Sequence, residues 1–393
     1  MKKFIAGLLC AVVWIFALSG CTQKLKDYYI YTNIQSAEFT VLAPNYHVEQ
    51  VIPADNSFSG GKAENAKGFT SQSHVYQGVM NTDAVLTVSA DFSKAEAVQK
   101  FEEFTKSVAE TLNRIENSLS VNKENSCAHL FNNAKAGETV EVDRTFYEVM
   151  LLAYKMYEFT DNYYNPAVYY SVSAYGFDKK EQPEVLPKDE DIAKFTELST
   201  AFEEIELIES EDGYFIKKPL KTVEVRKTHY SLAVDLGGIG KGYVTDIINE
   251  MFSEYGFEYG MFNFGGSSVA LKKHCREGDY TLALIEPRRN STHCMSFPVH
   301  DICVSTSADY VNYYTLNGVR YCHIIDPTTG NPVQTGIMSA TVAGGSAAEN
   351  DAITTAIMAM GRDRAISFIE SKLTDKYAVF TYDKFRSAEL AKP

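Results

Sequence analysis

Three short segments hold residue types that can do chemistry together. The first is Val234-Asp235-Leu236-Gly237-Gly238-Ile239-Gly240-Lys241-Gly242-Tyr243, which sets four glycines and a lysine between a β-type run and a helical one. Glycine brings no side chain and tolerates positive φ, so successive N–H groups in such a turn can converge on an anion, while Lys241 adds a movable positive charge. Phosphate is the expected guest. The segment matches neither G-x-x-x-x-G-K-S/T nor G-x-G-x-x-G, and an ordinary tight turn is the competing reading. The second segment, His323-Ile324-Ile325-Asp326-Pro327-Thr328-Thr329-Gly330, puts an imidazole where a strand-like run turns. Such a histidine can take the proton of a hydroxyl nucleophile, or it can be a satisfied structural residue. In the third, Asn350-Asp351-Ala352-Ile353-Thr354-Thr355-Ala356, Asp351 and Thr355 stand four residues apart and share one helix face. A carboxylate and a hydroxyl so placed offer two hard oxygens to Mg²⁺, which tends to be held by few protein carboxylates plus substrate phosphates. Alternatively, Asp351 merely answers the helix dipole.

Other segments could support these. Asn263-Phe264-Gly265-Gly266-Ser267 is a second backbone-exposing turn, and Ser305-Thr306-Ser307 supplies hydroxyls after a buried-type strand; either could be ordinary hairpin chemistry. The elements that must hold the segments are partly visible. Ala84 to Ser89 alternates like a strand. A helix is predicted from Ser93 to Leu119, with Ser93 and Glu96 as a capping box and Val98, Phe101, Val108, Leu112, Ile115 and Leu119 as its core stripe. Further helices are expected over Arg144 to Phe159, Asp189 to Phe202, Lys241 to Phe252 and Ala347 to Lys372, with short strands at Tyr214 to Ile216, Leu282 to Ile285 and Asp301 to Val304. Helices first and mixed strands later indicate an α+β fold rather than an alternating parallel sheet.

The first residues carry Lys2 and Lys3, an apolar stretch from Phe4 to Leu18, and then Leu18-Ser19-Gly20-Cys21. This reads as a lipoprotein signal over 1–20, with Cys21 as the lipidated residue, and its apolar core is short for a spanning helix. The expected location is extracytoplasmic, on a bacterial membrane, with the lipid as the only membrane grip. A polar tether is expected over 21–77 and a single domain over 78–393. The formal net charge of −14 argues against nucleic-acid partners and against a polybasic hold on anionic lipid. Five cysteines remain beyond Cys10 and Cys21, with no C-x-x-C among them, so neither a zinc site nor a full disulfide set is indicated.

Taken together, these segments resemble the bacterial FAD:protein FMN transferase family, the ApbE-type flavin transferases, over about Val79 to Arg362. The resemblance rests on Asp235 to Gly242, Asn263 to Gly266, Val304 to Ser307, His323 to Gly330 and the Asp351/Thr355 pair, with weaker matches at Met80-x-Thr82, Leu119-Ser120, Ser126, Asn132, Thr160-Asp161 and Asn165-Pro166. It implies a T-fold-like α+β domain that binds FAD with Mg²⁺ and moves FMN to a threonine or serine of an exported flavoprotein. On that resemblance Asp351, Thr355 and the Gly240 carbonyl hold the metal. Asp235, Gly237, Gly238 and Lys241 lie by the FAD phosphates, with Met80, Gly265, Ser305, Thr306, Ser307 and Asp326 completing the cofactor site, and His323 deprotonates the acceptor.

Several positions depart from the family. Gly240 stands where alanine is usual, Asn81 where glycine is, and Asn162-Tyr163-Tyr164 where Gly-Ala-Phe is. Asn122 stands where many transferases have a large residue such as tyrosine, and relatives with asparagine there resemble Mg²⁺-dependent FAD pyrophosphatases. A small amide could admit water beside the scissile phosphate. Hydrolysis of FAD to FMN and AMP is therefore an alternative or second activity, and a non-catalytic flavin-binding lipoprotein is a third reading.

Overall fold

The alternating stretch before residue 90 forms one arm of a hairpin, strands β2 (Thr70–Val79) and β3 (Thr82–Ala90), joined through Met80 and Asn81 at φ 47° and 63°. Positive φ at both central residues gives the hairpin the twist its strands require; asparagine suits this and methionine does not. The structure, a computed structural model, describes residues 28–32, 68–178, 182–275, 280–285, 287, 293–373 and 377–383. The predicted signal segment and Cys21 lie outside the described residues. Ordered chain begins earlier than the boundary expected at 78, because β2 starts at Thr70 and a strand β1 (Tyr28–Thr32) lies within the expected tether.

Helix α1 (Ala95–Leu119) buries Phe101, Val108, Leu112, Ile115 and Leu119 of the predicted stripe together with Phe104, while Val98 is only half-buried. The capping box does not form: the helix is preceded by Lys94 without a side-chain cap, and the Ser93 hydroxyl donates to Asp91 Oδ1 instead. Helix α2 (Cys127–Asn133) is capped by Ser126, and α3 (Arg144–Phe159) has the expected bounds, with Asp143 accepting from the Phe146 N–H at 2.8 Å. The helix expected to Phe202 ends at Ser199 and continues as a 3-10 turn over Thr200–Glu204. Helix α4 (Gly237–Glu254) starts four residues before its predicted start. The helix expected from Ala347 to Lys372 is two, α5 (Ala347–Met360) and α6 (Arg362–Lys372), broken at Gly361 with φ 70°.

Strands β4 (Gly260–Phe264), β5 (Ser268–Leu271), β6 (Ile302–Ala308), β7 (Ile337–Gly344) and β8 (Tyr377–Asp383) complete an eight-stranded antiparallel sheet in the order β1-β8-β7-β6-β5-β4-β3-β2. Chain neighbours are sheet neighbours throughout, except that the first strand closes onto the last. The α+β expectation is met. Helix α4 lies on β4 and β5, α5 on β6 and β7, and the two helices pack on each other. Helix α5 is buried almost all round, which explains why it lacks an amphipathic pattern. Among the described residues, no helix is long and apolar enough to cross a membrane.

Candidate functional site

The glycine segment is helix, not turn. None of Gly237, Gly238, Gly240 and Gly242 has positive φ, and all four lie in the first turns of α4. Their absent side chains serve packing instead. A Cβ on Gly242 would stand 2.3 Å from the Ala347 carbonyl oxygen, so α4 and α5 meet backbone to backbone. One turn on, the Asp246 carboxylate accepts from the Ser346 hydroxyl at 2.6 Å and from the Ala347 and Ala348 N–H groups at 2.6 and 3.0 Å, capping α5 from α4. This staple fixes where α5 presents Asp351 and Thr355.

Asp351 is buried and held from two sides. Its Oδ2 accepts from the Gly242 N–H and its Oδ1 from the Ser268 hydroxyl, each at 2.7 Å. Burial pushes its carboxyl up, while Lys241, Ser268, Ser305 and the Gly242 N–H pull it down. The Thr355 hydroxyl donates to the Asp351 carbonyl at 2.9 Å and lies 3.4 Å from Ser307 Oγ, so its oxygen keeps lone-pair capacity. Ser305 and Ser307 face α5, Ser305 donating to the Ala347 carbonyl at 3.1 Å. Thr306 does not join them: its hydroxyl pairs with Thr341 at 2.8 Å on the other face of β6, because successive strand residues alternate sides.

Lys241 Nζ donates to the Gly237 carbonyl at 3.2 Å, and its charge acts on Asp235, Asp351 and His323. Asp235 Oδ1 accepts from the Gly237 N–H at 2.8 Å, and burial pushes its carboxyl up. The chain before it is clamped by Asn132, whose side-chain amide bonds both the N–H and the carbonyl of Val234. His323 Nδ1 lies 3.2 Å from the Asn312 carbonyl. A carbonyl can only accept, so Nδ1 carries the proton and Nε2 has the free lone pair. Burial, then the Lys241 charge, holds this imidazole down at about 4, so it is neutral at pH 7.

Other expected residues take different places. Asp326 spends Oδ1 on its own turn, accepting from the Thr328 N–H at 2.8 Å and hydroxyl at 2.7 Å. Met80 and Leu119 pack on Gly240, where a Cβ would stand 3.1 and 3.3 Å from their methyl carbons. Gly265, at φ 63°, brings its hairpin against Thr82. Asn122 is exposed in the loop after α1, with no side-chain bond to the cluster. Sequence reasoning missed Ser268, Asp246 and the buried Tyr164, whose ring edge and Thr355 Oγ1 each lie 3.3 Å from the point where a Gly238 Cβ would be.

Among the described residues, no three His, Cys, Asp or Glu cluster as a self-sufficient metal cage. Asp351 and Thr355 offer a carboxylate and a hydroxyl of the kind Mg²⁺ takes when held largely by phosphates and water, and the third expected ligand, the Gly240 carbonyl, belongs to the first turns of α4, two residues before the Gly242 N–H that Asp351 accepts from. A buried carboxylate pushed up by desolvation is also the environment that a divalent cation relieves.

The sequence profile of the ApbE family matches residues 80–380. This chain belongs to the ApbE family. It is similar to the FAD:protein FMN transferase of Vibrio cholerae, 28% identical over 66% of this chain and 74% of that protein. It is also similar to that of Haemophilus influenzae, 24% identical over 98% of this chain and 94% of that one. Two solved ApbE structures share the fold. The flavin transferase from Vibrio cholerae has a TM-score of 0.64 and 23% identity, covering 81% of this chain and 98% of that one. The protein from Thermotoga maritima has a TM-score of 0.63 and 23% identity, covering 77% and 92%.

Proposed function

We propose that this ApbE-family protein transfers the FMN half of FAD to a threonine or serine hydroxyl of an exported flavoprotein in a Mg²⁺-dependent reaction. The acceptor oxygen forms a bond to the flavin-side phosphorus, the diphosphate P–O bond breaks, and AMP leaves. The observation that carries this reading is the meeting of α4 and α5, where the Gly242 N–H next to Lys241 donates to the buried Asp351 at 2.7 Å, one turn before Thr355. His323 Nε2 takes the hydroxyl proton, and Lys241 holds phosphate charge at the start of α4, where the helix dipole adds to its pull. When bound, Mg²⁺ supplies charge neutralisation at the phosphoryl and leaving groups. The donors to Asp351 keep its carboxylate aimed at that place. The signal-like segment ending at Cys21 supports a lipid-anchored, extracytoplasmic location.

The test is mass analysis of a threonine-bearing acceptor domain incubated with the protein, FAD and Mg²⁺. A mass gain of one FMN, abolished by EDTA and lowered by about a hundredfold or more in Asp351→Asn, is expected; an unmodified acceptor with intact FAD would overturn the reading. FAD pyrophosphatase activity is favoured by one observation, the exposed, unengaged Asn122 just beyond α1. Free FMN and AMP should then form without acceptor, and Asn122→Tyr should suppress them; equal hydrolysis in that variant removes the argument.

A further inference from the structure

Lys218 is 1% exposed, and the partners of its ammonium are not carboxylates. It donates to the carbonyls of Phe131, Asn132 and Ala134 at 3.0, 3.3 and 2.8 Å and to the Ser231 hydroxyl at 2.9 Å. Taking an ammonium out of water is costly, so a lysine in such a place calls for a reason. Phe131 and Asn132 lie in the last turn of α2 and Ala134 just beyond it, where helix carbonyls lack intrahelical partners and the dipole favours a cation. Ser231 repeats the contact, its hydroxyl donating to the Ala134 carbonyl at 3.0 Å. Three residues on, the Asn132 amide grips Val234 at its N–H and its carbonyl, at 2.8 and 2.9 Å. The end of α2 is thus fastened at two points to the buried run 232–234. The next residue, Asp235, accepts from the Gly237 N–H in the first turn of α4.

We propose that Lys218 is a positioning residue for the dinucleotide site: by gathering the carbonyls at the end of α2 it holds the Asn132 amide on Val234, and through Val234 it fixes Asp235 and the first turn of α4. The inference rests on the FAD reading above. Burial pushes the Lys218 ammonium down to about 8, against an upward pull from the Glu138 carboxylate. Losing the proton removes one donor and leaves a lone pair among carbonyl oxygens, so the clamp loosens as pH rises through about 8. The fold does not weaken on this group's account over that range, because the unfolded chain keeps the proton up to the usual 10.5. Alkaline loss of ligand affinity without loss of stability is therefore the mark of positioning.

The test compares the full chain with Lys218→Met, Asn132→Ala and the double variant. Calorimetry gives the FAD dissociation constant in Mg²⁺ from about pH 7 to about 9.5, and mass spectrometry follows amide hydrogen exchange over 232–240 without ligand. The parent constant should rise above about pH 8. Each single variant should raise it about tenfold at neutral pH, as for lost bonds to a charged group, and the double variant no further, with faster exchange over 232–240 in all three. Single effects that add in full, or unchanged exchange in Lys218→Met, would overturn the proposal. Should that variant not fold, the parent decides: a constant that stays flat across the range overturns the proposal, and one that rises with no fall in thermal midpoint supports it. A parent that binds no FAD would sink the flavin reading, and the exchange arm then supports or overturns the clamp by itself.

Discussion

Burial, with Lys241 behind it, sets the protonation of His323, and this is where pH dependence originates. Because burial and Lys241 hold His323 at about 4 rather than the usual 6.5, the base is already unprotonated through the neutral range. The acid limb of kcat/KM should therefore fall well below pH 6.5, and Lys241→Met should move it upward, as read from pH–rate profiles of both forms. A limb at the ordinary histidine value in the parent would sink this account. The stability sign follows: the unfolded chain takes the His323 proton first, so this group's contribution to stability declines as pH falls from about 6.5 towards 4. His323 and the Asp351/Thr355 pair were legible in the sequence because their chemistry is local. Ser268 was not, since which residue after the Gly265-Gly266 turn points at Asp351 depends on strand phase. Thr306 shows the converse, because three consecutive hydroxyls in a strand cannot share a face.

At the level of elements, Gly242 is the one of the four glycines near Lys241 that is spent on backbone contact between α4 and α5, while Gly237, Gly238 and Gly240 face side chains. Gly238 and Gly242 are four apart and share a face, so their spacing was compatible with helix packing as well as with a phosphate-binding turn; local sequence does not separate the two. Two alanine variants separate them experimentally. Gly242→Ala drives a methyl into a backbone carbonyl of α5, which should cost about 3 kcal/mol or more in urea unfolding. Gly240→Ala meets the flexible ends of Met80 and Leu119 instead, and the gain in helix propensity, up to about 1 kcal/mol, should leave the protein as stable or more so. Equal losses in both would mean that the α4–α5 contact is not what Gly242 serves. The apolar spacing gave α1 its stripe and its end at Leu119, although its expected cap does not form, and α3 has the expected bounds. The break at Gly361 was not readable, because α5 is buried almost all round and carries no amphipathic period across the junction.

The whole molecule carries a formal charge of −14, yet its proposed substrate is anionic. Long-range repulsion should slow the approach of FAD, with Lys241 acting only at short range. Raising salt from about 10 to 150 mM at fixed Mg²⁺ should therefore speed FAD association, whose rate can be followed by stopped-flow fluorescence; a slower rate would mean that the local positive field governs capture. The sheet order could not be read from sequence at all, since the pairing of β1 with β8 joins residues from opposite ends of the chain. That pairing has a mechanical corollary. Only seven residue steps separate Cys21 from Tyr28, and a fully extended chain covers about 25 Å over that length. An acyl group on Cys21 would make this a short leash fastened to the outer edge of the sheet. The catalytic body would then work within a shallow layer above the bilayer, and threonines carried far from the membrane would be out of range.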